Sequence, residues 1–403
     1  MKKRLISLVA AAALVGGISI AQAPVAKAGT VTVAGDTQVQ LYGRLKLQTG
    51  FTKNTAGYAN TALKAPNNTF AAYHTLNDTN FNGFSINGAG TALGLKLANK
   101  DANLTGLFEL GLPSGGAVNL RHAYIQHNFD NGLFVLIGQT NPVYEQHTFS
   151  ITPNATAGWN RGPTRVPEII LGGKLDISDT ASLDFKVSAL QPSWVSTGAG
   201  VLGVHNKAPF FGADLGVSFE TGFGAPARIY GSALIGSQDY EYLRTGRFNT
   251  KSKTSSAYTA GIVLPVSMIT LQSQYQHAKG MVGLAGTSGA VQPGVYLNAA
   301  GNGFDQTKFN AFNFEAKVSP MPCLSVAAGY DHLKYKGYPS AAVVIKSNDA
   351  YFLNTSIKTT KYTALNVEWQ HYKTKYANAP YAPTSNKTKF NGDLFYASYT
   401  YNF

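Results

Sequence analysis

Several things are scarce in this chain, and each scarcity excludes something. A single cysteine, Cys323, rules out any intramolecular disulfide. Secreted soluble proteins of this size commonly use disulfides in an oxidising compartment, whereas a closed barrel needs none. Only 13% of residues are charged, which argues against the two or three soluble domains that the length would otherwise suggest. Beyond the N-terminal segment there is no apolar run long enough to cross a bilayer as a helix. The sequence holds no H-E-x-x-H, G-x-S-x-G or C-x-x-C motif, and its eight histidines form no metal-spaced pair on one strand face. Gly198-Ala199-Gly200-Val201-Leu202-Gly203 fits G-x-G-x-x-G. It lacks the flanking strand, the following helix and the acidic residue of a dinucleotide site, and reads as a flexible loop. No catalytic residue, cofactor or metal is expected.

What is abundant suits strands and turns. There are 42 Gly, 22 Tyr and 22 Phe, with many Asn and Thr. The N-terminus is different. Lys2, Lys3 and Arg4 precede an apolar stretch from Leu5 to Ile20, followed by the small-residue sites Ala21-Gln22-Ala23 and Ala26-Lys27-Ala28. This is the layout of a secretory signal peptide over residues 1–28. Cleavage after Ala28 is favoured, because cutting after Ala23 would leave Pro24 first. Residues 29–403 then form one domain. Of the net charge of +13, four charges lie on Lys2, Lys3, Arg4 and Lys27, leaving +9 on the exported chain. The basic residues are scattered singly, with no basic helix or patch, so nucleic acid is not an expected partner.

The clearest strand covers 38–51. Val39, Leu41, Gly43, Leu45, Leu47 and Phe51 share one face; Gln38, Gln40, Tyr42, Arg44, Lys46 and Gln48 share the other. Such alternation places water on one side and apolar material on the other. Sixteen strands follow this pattern, at 38–51, 84–98, 104–112, 118–129, 133–139, 168–177, 181–191, 209–220, 227–237, 255–265, 268–278, 309–318, 323–334, 350–358, 362–373 and 390–403. Seven short connections alternate with eight longer ones, about 52–83, 113–117, 140–167, 192–208, 238–254, 279–308, 335–349 and 374–389. That rhythm predicts an all-β, transmembrane, up-and-down antiparallel barrel with tight turns at one end and long loops at the other. Phe395, Ala397, Tyr399, Tyr401 and Phe403 alternate to the last residue. They form a lipid-facing strip that resembles the tail read by the outer-membrane barrel-insertion machinery.

Gln40-Leu41-Tyr42-Gly43-Arg44 resembles the opening strand of the Gram-negative general porins. Arg121-His122-Ala123-Tyr124-Ile125 through Asp130-Asn131-Gly132-Leu133-Phe134-Val135-Leu136-Ile137-Gly138-Gln139 looks like that family's fourth and fifth strands. The resemblance implies a sixteen-stranded barrel in the outer membrane and a homotrimer. It also implies a long third loop folded into the lumen, facing basic residues of the wall across a constriction. Two departures thin the expected arginine cluster: the second strand offers only Lys96, and Gln139 stands where many members carry Arg.

The fourth strand breaks clean alternation. With Arg121 facing the pore, His122, Tyr124 and Gln126 would face outward, as a subunit interface would allow; a bulge that resets parity is the alternative. The fifth strand is apolar on both faces, which fits a wall with protein on both sides. The expected lumen and constriction residues are Arg44, Lys46, Arg121, Glu145, Arg161, Arg165 and Glu168. The expected function is a water-filled channel for passive diffusion of small hydrophilic solutes and ions, with an anion preference. Outer-membrane lipid and lipopolysaccharide are the expected surroundings. A substrate-selective channel for phosphate, other anions or sugars is the alternative, ahead of a barrel enzyme or a structural surface protein.

Overall fold

The computed structural model describes residues 30–34, 37–53, 83–88, 90–112, 118–144, 150, 165–191, 197, 200–285, 294–338, 345–377 and 389–403. The proposed signal segment lies outside them. Sixteen strands form the wall: β1 (Thr37–Lys53), β2 (Thr91–Asn99), β3 (Leu104–Leu112), β4 (Asn119–Asn128), β5 (Leu133–Thr140), β6 (Val166–Ser178), β7 (Ala181–Leu190) and β8 (Phe210–Phe219). They continue as β9 (Ala227–Arg244), β10 (Arg247–Val266), β11 (Ile269–Lys279), β12 (Lys308–Met321), β13 (Leu324–Lys336), β14 (Ile345–Lys358), β15 (Thr363–Tyr376) and β16 (Lys389–Asn402). Each pairs antiparallel with the next, and β16 returns to β1 in register Lys46↔Thr400, so the sheet closes without an edge. No helix among the described residues is long and apolar enough to cross a membrane.

The two faces of the wall follow the parity read from the sequence. On β1, Leu45 is 55% exposed, while Gln48 on the opposite parity is 1% exposed. Ile137, Ile169, Leu215, Ile229 and Leu353 are likewise exposed and outward. The inward parity carries Asp214, Ser232, Thr259, Gln272, Gln274, Gln276, Asn313 and Asn354, all buried. Apolar side chains outside and polar ones inside invert a soluble core, which is the partition a lipid-embedded, water-lined barrel requires.

The short turns fall where expected; Asn103, Gly132 and Ser267 sit there with positive φ. The long connections contain more order than the sequence suggested. The expected loop at 238–254 is a continuation of β9 and β10, paired as far as Arg244↔Arg247. Thr245 and Gly246, both at positive φ, make its two-residue turn. Its outward Asp239 accepts from Ser252 and pairs with Lys207 at 3.1 Å. The Ser252 hydroxyl, with Lys207 behind it, holds that carboxyl below the usual range. A short strand, Gly203–Asn206, lies alongside this hairpin. On the other side, Gly83–Asn87 extends the line of β2 beyond a break at Gly88–Gly90.

One expected break in alternation has a definite cause. Glu109 pairs with His122 but Leu110 pairs with Leu120, so Arg121 is an extra residue on β4. This bulge resets the parity. Arg121 and His122 both reach the lumen, and Tyr124 and Gln126 follow His122 inward, while Ile125 is 59% exposed. The reading of His122, Tyr124 and Gln126 as an outward, interface-forming set is therefore corrected.

Candidate functional site

After β5 the described residues 141–144 turn into the barrel. Pro142, Val143 and Tyr144 are buried. Val143 packs with Leu136 of β5 and Ile170 of β6, which explains why β5 is apolar on its inward face too. The Tyr144 hydroxyl accepts from Gln276 Nε2 on β11 at 2.9 Å. Further along, Ser150 reaches Glu315 on β12: its amide donates to Oε2 at 2.6 Å and its hydroxyl to Oε1 at 2.8 Å. The described residues Tyr144 and Ser150 of the third loop thus lie in the lumen, fastened to strands of the far wall. At its return, Glu168, 4% exposed, accepts from the Val143 amide at 3.3 Å, tying the two ends of the loop together.

Facing this loop, β1 to β4 and the residue before β6 carry a cationic quadrant. Arg44 Nε donates to the Gly90 carbonyl at 2.8 Å. Arg121, placed by the bulge, pairs with Glu109, whose other oxygen accepts from the Tyr42 hydroxyl at 2.8 Å. Arg165 Nε donates to His122 Nε2 at 2.9 Å, and His122 Nδ1 lies 3.0 Å from Thr140 Oγ1. Nε2 accepts there, so the ring is neutral with its proton on Nδ1. Lys96 sits over the Tyr42 ring at 5.0 Å. Lys46 is 6% exposed and has no ion pair among the described residues. Arg44, Arg121 and Arg165 are close enough to act on one another's charge. On these strands, Glu109 is the one inward carboxylate among the described residues.

On the strands opposite β4 and β5, Glu315 and Asp331 face inward from β12 and β13, while Glu368 faces inward from β15, two strands from Lys46 and near enough to act on its charge; all three are buried. Asn313 donates to Asp331, and Asn354 Nδ2 donates to Glu368 Oε2 at 2.7 Å. No cluster of three or more metal-ligating side chains occurs among the described residues.

Of the expected lumen residues, the structure brings together Arg44, Lys46, Arg121 and Arg165. Glu168 lies apart at the base of the loop, and Glu145 and Arg161 are outside the described residues. The expected thin arginine cluster is filled by Arg165, supplied from the loop and not from a strand. The tail residues Phe395, Tyr399, Tyr401 and Phe403 share the outward face of β16, with Tyr401 and Phe403 rings stacked at 6.0 Å. Sequence reasoning missed Glu109, Glu315, Asp331 and Glu368 as site residues. Their inward parity was available as a signal; which strands stand opposite one another was not.

No protein-family model matches the sequence, and no curated protein does. Solved structures do. The outer membrane channel DcaP of Acinetobacter baumannii superposes with a TM-score of 0.66 at 16% identity, over 93% of this chain and 100% of that one. OmpT of Vibrio cholerae, in its trimer form, gives 0.55 at 12% identity, over 92% and 100%. The anion-selective porin from Comamonas acidovorans gives 0.52 at 13% identity, over 91% and 100%. The fold is that of the outer-membrane porins, a closed sixteen-stranded antiparallel barrel.

Proposed function

We propose that this chain is an outer-membrane porin of a Gram-negative bacterium, a water-filled channel for small hydrophilic solutes and ions that favours anions. Residues 1–28 are its export signal and residues 29–403 its single barrel domain. The observation that carries the reading is the lopsided lumen: Arg44, Lys46, Lys96, Arg121 and Arg165 stand against Glu109 on the wall that the third loop faces. A cation-lined constriction raises the local anion concentration within a Debye length of ~8–10 Å. The anion-selective porin among the structural relatives supports the same direction. The test is the reversal potential across a tenfold KCl gradient, for the wild type and for Arg44→Ala with Arg121→Ala. Anion preference that weakens in the double variant is expected. Cation preference in the wild type, or no shift in the variant, would refute the assignment of these residues.

A second reading, a channel selective for particular anionic substrates, is favoured by one feature. The turn Val282–Ala285 after β11 also packs inward. Met281, Val282 and Leu284 join Tyr144, Phe210, Phe309 and Tyr335 in one apolar cluster, which adds a second inward-packed segment to the long-loop end. Sub-millimolar block of ion current by an organic anion, without block by chloride, would support it. The protein is proposed to be a homotrimer, as one structural relative's trimer form suggests. Mass measurement in mild detergent tests that.

A further inference from the structure

A single imidazole on β4 touches both ends of the third loop. The β5–β6 ladder closes at Thr140↔Val166, so Thr140 is the last sheet residue before the loop and Arg165 the residue that meets the sheet on its return. His122 Nδ1 lies 3.0 Å from Thr140 Oγ1, and His122 Nε2 accepts from Arg165 Nε at 2.9 Å. The ring reaches this place because the extra residue at Arg121 turns it inward.

The two limbs of the loop are fastened unequally. On the outgoing limb, the Val143 amide, the Tyr144 hydroxyl and Ser150 are held by Glu168, Gln276 and Glu315. On the returning limb, among the described residues, the Arg165 side chain is held by His122 alone. Arg165 needs that anchor. It lies close enough to Arg44 and Arg121 for their charges to oppose its own. The carboxylate at hand, Glu109, is taken by Arg121 and by the Tyr42 hydroxyl. Like charges at this range repel, so a guanidinium without a fixed acceptor leaves the wall for water.

The kind of anchor matters. A carboxylate would hold Arg165 and cancel its charge; a second cation would drive it off. The neutral imidazole offers a lone pair on Nε2 while its Nδ1 proton goes to Thr140, so it fixes the cation and leaves the charge uncompensated. Arg44 is held on the same terms, by the Gly90 carbonyl at 2.8 Å.

We propose that His122 is a positioning residue for ion selection, a side chain without charge that keeps Arg165 on the lumen wall at full charge. The inference rests on the channel reading above and deepens it, since His122 acts on passing ions through another residue.

Reversal potentials across a tenfold KCl gradient are measured at neutral pH for the full chain in planar bilayers, as wild type, His122→Ala, Arg165→Ala and the double variant. Heat-resistant migration of each variant shows that its barrel is folded. One charge beside the ion path is worth roughly twofold in local ion concentration, so His122→Ala should lower the anion-to-cation ratio about twofold although it removes no charge. Arg165→Ala should lower it equally, and the double variant no further, because the two residues act as one unit. His122→Gln, whose amide oxygen reaches the place of Nε2, should restore the wild-type ratio. An unchanged ratio in His122→Ala, additive losses in the double variant, or no restoration by glutamine would overturn the proposal. A readout independent of conduction is the nitrogen spectrum of the histidine-labelled full chain in detergent, with His122 assigned from its absence in His122→Gln. The ring should carry its proton on Nδ1, and its Nε2 resonance should move in Arg165→Ala. A proton on Nε2 instead, or an Nε2 resonance indifferent to Arg165→Ala, would overturn the clasp even in a chain that fails to conduct.

Discussion

Ser150 and Glu315 lie 165 positions apart and meet inside the barrel, the serine giving both its amide and its hydroxyl to the two carboxylate oxygens. A charge-assisted pair of this kind is stronger than a neutral hydrogen bond. It fastens a loop that leaves β5 to a strand on the far side of the ring.

Ser150→Cys with Glu315→Cys, in a Cys323→Ser background, should therefore form a disulfide under mild oxidation. The shorter bridge would draw the loop outward from the cationic wall and alter single-channel conductance reversibly with reductant. Two free thiols persisting under oxidant would mean that the loop does not rest on β12. Glu315→Ala should loosen the same contact and give noisier, larger openings.

The barrel seam makes a second prediction. Gly43 and Phe403 exchange both backbone hydrogen bonds, at 3.0 and 3.1 Å, and the Phe403 ring covers the position where a Gly43 Cβ would project. The terminal ring is thus seated on a glycine of β1. Gly43→Val should displace it and lower the yield of folded barrel much as deletion of Phe403 does, while leaving the ion preference of surviving channels unchanged. Normal yields of either variant in isolated outer membranes would remove this role.

A third prediction concerns backbone strain. Gly138 has φ 140°, and a Cβ there would run into the Ala123 carbonyl of β4. Gly138→Ala should cost about 1–3 kcal/mol of barrel stability. The check is the urea midpoint for refolding into lipid vesicles. An unchanged midpoint would mean the wall relaxes there at no cost.

The parity of β1 and of β12, and the alternation of short and long connections, were legible because a lipid-facing side chain and a lumen-facing one obey opposite rules at every second residue. Two features escaped for physical reasons. Gln238, Tyr240 and Tyr242 alternate with Asp239 and Glu241, but the outward charges disguised this strand, which extends past the membrane where water faces both sides. The extra residue at Arg121 showed in the sequence only as a break in alternation, which a subunit interface explains as well as a bulge does, since a bulge is fixed by what the neighbouring strand pairs with. The parity of His122 and Tyr124 therefore reversed. The cationic quadrant was half legible for the same reason: Arg44 and Lys46 follow from alternation, while the meeting of Arg165 with His122 depends on where a loop returns.

The last prediction uses the sign of single charges. Glu109 accepts from Tyr42 and pairs with Arg121, and it is the carboxylate that offsets the cationic quadrant. Glu109→Gln removes that offset and should raise the anion-to-cation permeability ratio; Arg121→Ala should lower it. One charge at ~8 Å from a passing ion contributes about 0.5 kcal/mol in water, roughly twofold in local ion concentration. The two variants should therefore move the reversal potential by comparable amounts in opposite directions. Both shifts should shrink toward zero near 1 M salt, where the Debye length falls to ~3 Å. The measurement is reversal potential at several mean KCl concentrations with a fixed tenfold gradient. Shifts of the same sign in both variants would point to altered pore shape as the cause. Shifts that persist at high salt would point to ion binding at a fixed site, and either result would replace the field argued from these side chains.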